Sequence, residues 1–342
     1  MSEPQRPVRI VDVAALAGVS PSTVSKALNN NGLLKDTTRE RVQQAAEKLG
    51  FVPDAAARSL QARRTYTVGL LSTDSAGRFS LPVVLGAENA LLAGQISALL
   101  ATARHDPVRE QHHIRSLVSR RVDGIIVTGR TTEPRAPIEA LAPVVYAFAP
   151  STDPRDASVV PDDADGMRQM VEHLRSLGHR RVAYVGGRPD QRSSHLRYDA
   201  TVTAAQERGM TVVGEPRYGE WSERWGRHAV DMLTGDGLLV EDGPDRVDAV
   251  VFASDQIARG GTDRLRERGM RVPEDVAVTG YDDWQVMSMA SRPPLTTVDM
   301  RLETLGQRAA EMLLAAVAGE AFHGTELVTP RLIARESTLG TS

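Results

Sequence analysis

From Thr67 onward the chain alternates near-continuous apolar runs with amphipathic stretches, and this alternation restricts the fold more than any other feature. The runs read TVGLLST, ISALLAT, DGIIVT and PVVYAFA, with helical patterns between them around 82–93, 107–121 and 134–142. A second series follows: RVAYVGG, a helix near 194–209, VDAVVFAS, a helix near 256–269, and VAVTGYD. Strands apolar on both faces must be covered on both, which is the condition of a parallel sheet between layers of helices. Two series rather than one predict two α/β lobes. The closing segment PLTTVDMRLETLGQRAAEMLLAAVAG predicts a strand and a helix that return to the first lobe.

The first sixty residues obey a different period. Ile10, Val13, Ala14 and Ala17 share one face at helical spacing. Gly18 then supplies the left-handed residue that ends a helix without a Cβ penalty. Ser20 is a good N-cap and Pro21 suits the first helical position, where its missing N–H costs nothing. The second helix, PSTVSKALN, turns Val24, Ala27 and Leu28 inward and leaves Ser22, Lys26 and Asn29 as a polar stripe. A third helix, about Asp36 to Leu49, carries Val42, Ala45, Ala46 and Leu49 on one face and stops at Gly50. Two short helices joined by a glycine turn form a helix-turn-helix, whose second helix enters the major groove. The stripe's hydroxyl, ammonium and amide are groups that meet base edges and phosphates. Next, FVPDAAARSLQARR holds less than two turns of helix, too short to be stable alone. Either it is a plain linker, or it forms when two copies meet on DNA, with Leu60 as a minor-groove wedge and Arg58, Arg63 and Arg64 beside phosphates.

Charge separates the same two regions. Residues 1–64 hold ten Lys and Arg against six Asp and Glu, whereas the chain as a whole carries a net −3. A basic head on an acidic body suits a polyanion-binding module. With 41% hydrophobic and 25% charged residues the composition is that of a globular protein. No run approaches the ~20 apolar residues of a membrane span, and the N-terminal MSEPQRPVRIVDV lacks the apolar core of a secretory signal. The absence of cysteine excludes disulfide scaffolds, thiol nucleophiles and thiolate metal sites. A cytoplasmic protein without a membrane partner is expected.

The residues quoted so far resemble the lactose-repressor/galactose-repressor family of bacterial transcriptional regulators, from about Val8 to Thr338. VRIVDVAALAGVSPSTVSKALN is similar to that family's N-terminal signature, and RSL at 58–60 to its hinge helix. EHLRSLGHRRVAYVGG, VFASDQIARGG, VPEDVAVTGYDD, PPLTTV and ARES follow in the family's order. The resemblance implies an all-α helix-turn-helix head (1–52) and a hinge helix and linker (53–66), joined to a two-lobed, periplasmic-binding-protein-like α/β domain with parallel sheets (67–342). The N-lobe would comprise about 67–164 and 297–325, and the C-lobe about 165–296 and 326–342. It further implies a homodimer that grips a double-stranded, pseudo-palindromic DNA operator and answers to a small-molecule effector, most often a sugar, bound between the lobes. No cofactor is implied.

By the same resemblance Lys26 is the main base-reading residue, a point charge where an arginine fork is common. Pro21 and Ser22 take the N-terminal contact positions of the recognition helix. Arg9, Thr23, Ser25 and Asn29 join the DNA-facing set, as do Ala57, Arg58 and the intercalating Leu60 of the hinge. For the effector, Arg197 in SSHLR matches an arginine that clasps ligand hydroxyls or carboxylates, and Asp282 in GYDD a carboxylate opposite it. Trp221 fits a stacking position, Ser254 stands where many members have Asn, and Asp74, Arg78 and Phe79 are lining residues of a divergent first loop. Two plainer alternatives stay open: Arg197 as a helix-to-loop ion pair, and Trp221 as packing. The ligand could be a neutral sugar or an anion, and inducer or corepressor.

Rival classes fit less well. An exported binding protein needs a signal and no DNA-binding head. An enzyme would need a motif the chain lacks: it has no G-x-x-x-x-G-K-[ST], no H-E-x-x-H and no G-x-S-x-G. His112–His113 reads as a solvated face, Gly186–Gly187 as a turn, and Asp162–Asp163 as a cap or loop pair. The C-terminal ARESTLGTS leaves no heptad-bearing tail, so a dimer rather than a tetramer is expected.

Overall fold

The computed structural model describes residues 8–28, 33–51, 64–74, 77–240 and 245–340. The chain divides into a head, Met1–Thr65, and a body, Tyr66–Ser342, each described here by itself.

In the head, α1 (Ile10–Ala17), α2 (Pro21–Leu28) and α3 (Asp36–Leu49) surround a core of Val13, Ala14, Ala17, Val24, Ala27, Val42, Ala45 and Ala46. The expected punctuation is present. Gly18 and Gly50 end α1 and α3 at φ 63° and 62°, the left-handed region that only glycine enters freely. The Ser20 hydroxyl accepts the Thr23 backbone N–H at 3.2 Å, closing the start of α2. The expected hinge helix lies outside the described residues.

The body begins with β1 (Thr67–Ser72), α4 (Ser80–Ala93), β2 (Ser97–Thr102), α5 (Pro107–Ser119), β3 (Gly124–Thr128), β4 (Val144–Ala147) and β5 (Ala157–Pro161). It continues with α6 (Asp163–Ser176), β6 (Arg181–Val185), α7 (Arg192–Glu207), β7 (Thr211–Val212), α8 (Glu223–Gly235), β8 (Ala249–Phe252), α9 (Asp255–Glu267), β9 (Ala277–Thr279) and α10 (Gln285–Ser288). The last elements are β10 (Thr297–Asp299), α11 (Leu302–Ala318), β11 (Gly324–Val328), β12 (Arg331–Ile333) and α12 (Glu336–Leu339). Six parallel strands in the order β11-β5-β4-β3-β1-β2 form the first sheet, and four parallel strands, β7-β6-β8-β9, the second.

The structure departs from expectation in four places. Residues 134–142 form no helix, because Pro137 removes a backbone donor in mid-segment and Pro143 ends it. Strand β10 joins neither large sheet; it pairs antiparallel with β12. The strand that returns to the first sheet is β11, beside β5, so the chain of that lobe runs through Val328 rather than stopping near 325. Helix α8, amphipathic and capped by Ser222, was not anticipated.

Helices α4 and α11 touch through glycines. A Cβ on Gly86 would overlap the Glu303 carbonyl, and one on Gly306 the Val83 carbonyl, both rigid backbone. We expect Gly306→Val to destabilise the body by about 3 kcal/mol through overpacking; urea denaturation that matches the parent would contradict this crossing.

Candidate functional site

On α2 the core-facing Val24 and Ala27 are buried, while Pro21, Ser22 and Lys26 are exposed. Ser22 and Lys26, four apart, share the solvent face. Thr23 and Ser25 are half-buried, and the Thr23 hydroxyl is tied to the Ser20 hydroxyl at 2.9 Å, so it serves the turn. Arg9 is exposed at the start of α1, its backbone N–H donated to Asp12 at 2.8 Å. Asn29, Ala57, Arg58 and Leu60 lie outside the described residues.

In the body the loops after β1, β3, β4, β6, β8 and β9 converge, and a cavity of about 560 Å³ lies among them. The carboxyl ends of parallel strands are where open α/β sheets bind ligands, because loops from neighbouring strands meet there. Of the residues singled out from sequence, Asp74, Arg78, Phe79, Arg197, Trp221 and Asp282 line this cavity. Ser254 does not. It is fully buried, and its hydroxyl accepts the Ile257 N–H at 3.3 Å as the N-cap of α9. The short Ser254 side chain bends back onto its own helix.

Arg197 forms the ion pair from helix to loop that is the plainer of the two readings, and it also lines the cavity. It is 4% exposed. Its Nε donates to Asp163 at 3.0 Å and its Nη1 to the Ala253 carbonyl at 2.7 Å, while the Asp282 carboxylate lies at 3.6 Å. The guanidinium also stacks on the Tyr281 ring at 3.7 Å. Burial by itself would lower its pKa, but the charges of Asp163 and Asp282 carry it upward, so it stays a cation. Asp162 caps α6 by accepting the Asp165 N–H at 3.0 Å. Asp163, next to it, is the counter-ion that sequence reading passed over.

The Asp282 side chain is 2% exposed, and that burial raises its pKa against the opposing pull of Arg78 and Arg197. Its backbone stands at φ 107°, a strained value for a residue with a Cβ, held by its N–H donating to Val298 at 3.0 Å. Behind it Asp255 is fully buried, its pKa pushed well up by burial and by the charge of Asp282. Asp255 accepts hydrogen bonds from the Thr297 hydroxyl (2.6 Å) and the Trp284 N–H (2.7 Å), which fixes Trp284 at the cavity wall. Arg78 donates to Asp282 at 3.0 Å, and its guanidinium sits 4.3 Å from the Phe79 ring and 4.5 Å from that of Trp284. Phe79 stacks on Phe148 at 5.2 Å. Trp221 donates to the Gln191 side chain and lies across Gly187, where any Cβ would overlap its ring. Gly187 therefore leaves the room that the Trp221 ring occupies, and that ring also packs against the body's core.

Two polar side-chain atoms of residues at the cavity wall, Thr132 Oγ1 and Arg78 Nη1, are buried without a hydrogen-bond partner, whereas Asp282 Oδ1 faces Arg197 Nη1 at 3.6 Å. Buried donors and acceptors of this kind are costly unless something meets them. A set of mixed donors and acceptors between Phe79, Phe148, Trp221 and Trp284 fits a ligand with hydroxyls on its rim and apolar C–H faces. Arg130, Thr132, Phe148, Gln191 and Trp284 were missed by sequence reading; each follows a strand's carboxyl end, and that rule would have found them. Among the described residues no group of His, Asp and Glu is arranged to hold a metal ion. Nor is any described helix long and apolar enough to cross a membrane.

Residues 9–54 match the family of bacterial regulatory proteins, lacI family, and residues 171–338 the periplasmic binding protein-like domain. The chain is 35% identical to the HTH-type transcriptional regulator CelR of Thermobifida fusca, over 95% of this chain and 96% of that protein. Among solved structures it is similar to the lac repressor dimer bound to operator and an anti-inducer (TM-score 0.72, 26% identity, 97% and 99% of the two chains). It is also similar to a CelR–cellobiose complex (TM-score 0.66, 32% identity, 97% and 100%).

Proposed function

The chain belongs to the lacI family of bacterial regulatory proteins, and from that premise we propose that it is a repressor whose hold on operator DNA is set by a neutral sugar in the body cavity. It is a sequence-specific DNA-binding regulator, not an enzyme. The carrying observation for the ligand is the mixture of polar side chains (Asp74, Arg130, Thr132, Gln191) with four aromatic side chains around one 560 Å³ cavity. A disaccharide is the favoured size class, in keeping with the cellobiose bound by a relative of 32% identity. Of the four arginines that line the cavity, Arg78, Arg188 and Arg197 each face a carboxylate, which favours a neutral ligand over an anion.

On DNA, Lys26 and Ser22 read bases from the exposed face of α2, with Pro21, Thr23, Ser25, Asn29 and Arg9 around them. Ala57, Arg58 and Leu60 act in the minor groove at the operator's centre. Two copies pair through an apolar face of the body. Leu81, Leu85 and Leu92, on one side of α4, are 58%, 45% and 64% exposed, and the sheet's edge strand β2 adds Leu100 on the same face, as Ala98 two residues before it packs with the α4 core. Such a patch is a usual mark of an interaction surface. A protein of this kind works in the cytoplasm, on the nucleoid.

Selection of bound fragments from a random duplex pool tests the DNA-reading half. A pseudo-palindrome is expected for the parent chain. Lys26→Ala should cost about 1–3 kcal/mol on that site and relax specificity at its base position. No enrichment, with or without a mixture of sugars, would overturn the proposal. Adding single sugars to the selected operator complex then gives the sign: release marks an inducer, tightening a corepressor.

A further inference from the structure

A second cavity, of about 610 Å³, adjoins the first and shares Arg78, Phe79, Asp282 and Trp284 with it. The shared residues are the partition. Its middle is a single side chain: the Arg78 guanidinium, held between the rings of Phe79 and Trp284 and tethered to Asp282 at 3.0 Å. The Arg78 side chain is 20% exposed and its Nη1 is buried without a partner, so the plug is held by one hydrogen bond and two ring faces. The far chamber is polar, with Gln285, Asp299, Glu303 and Thr304 along its walls.

We propose that Arg78 is the specificity-determining wall of the effector site, limiting the ligand to the length that fits the first cavity. Removing the guanidinium would leave a slot between two aromatic rings, the shape that receives a sugar ring face-on. The slot would join the two cavities into one groove lined by hydroxyl-compatible groups. Arg78 therefore acts by exclusion, and the loop that carries it sets the length of ligand accepted. This rests on the sugar reading of the cavity proposed above.

The test uses the full-length protein and neutral β-1,4-linked glucose oligosaccharides from disaccharide to pentasaccharide, with binding read by calorimetry. The parent chain should bind the shortest members best. Arg78→Ala should gain at least tenfold for members one or more units longer. Arg78→Met, which still fills the slot with an unbranched chain but lacks the charge, should keep the parent's length preference. An unchanged length preference in Arg78→Ala would overturn the wall. So would a matching shift in Arg78→Met, since the ion pair with Asp282 would then be what matters. Failure of every sugar to bind the parent, in this series and in an α-linked one, would instead overturn the sugar reading itself.

Discussion

Replacing Arg197 by Ala is expected to lower the unfolding free energy of the body by about 3–5 kcal/mol, as removal of one partner of a buried ion pair does. The reason is what the substitution leaves behind. Asp163 and Asp282, 6% and 2% exposed at their side chains, lose a shared cation, and the Ala253 carbonyl loses a charged donor. The paired arrangement is not therefore a large net stabiliser. Its desolvation cost offsets much of its attraction, so Arg197→Met combined with Asp163→Leu should recover a large part of the loss. Urea unfolding followed through the body's tryptophans measures all three proteins. A single substitution that costs under about 1 kcal/mol would contradict the buried pair. In the same proteins the operator complex should no longer respond to sugar, whether by release or by tightening, because the proposed ligand contact and the ion pair that supports the cavity wall are one group. Operator binding by the surviving folded fraction should persist, since the head has its own core of eight buried residues.

The second large effect concerns assembly. Leu85→Glu together with Leu100→Glu places two carboxylates in the exposed apolar face formed by α4 and β2. The expected outcome is a monomeric protein at concentrations where the parent is a dimer, seen by analytical ultracentrifugation. Operator affinity should fall by about 10²–10⁴, because the second head no longer binds as an intramolecular partner of the first. Binding to an isolated half-site should change little. Neither residue belongs to a core cluster, so stability of the single chain is expected to hold. A doubly substituted protein that remains dimeric would move the interface elsewhere.

Much of this protein could be read along the chain. Helices α1 to α3, with Gly18 and Gly50 at their ends, follow from apolar spacing and from the one residue free of a Cβ penalty. The buried parallel strands follow from runs apolar on both faces. Six of the seven residues expected at the effector site do line one cavity. The seventh, Ser254, shows the limit: a hydroxyl at the start of a helix finds its own backbone before it finds a ligand.

Contacts between distant stretches had to wait for the fold. Arg78 and Asp282 stand 204 positions apart, Arg197 and Asp163 34, and no local pattern ties either pair. Periodicity records which face of an element is buried, because neighbours three or four residues away share that face. It carries nothing about which loops meet at the ends of a sheet, since that depends on strand order, and the order β11-β5-β4-β3-β1-β2 brings the end of the chain beside its middle. Sequence alone thus determined most of the elements, the two-part organisation and many of the side chains that surround the cavity. The tertiary structure decided which charges are neutralised, which hydroxyl is spent on a cap, and that one arginine stands between two cavities.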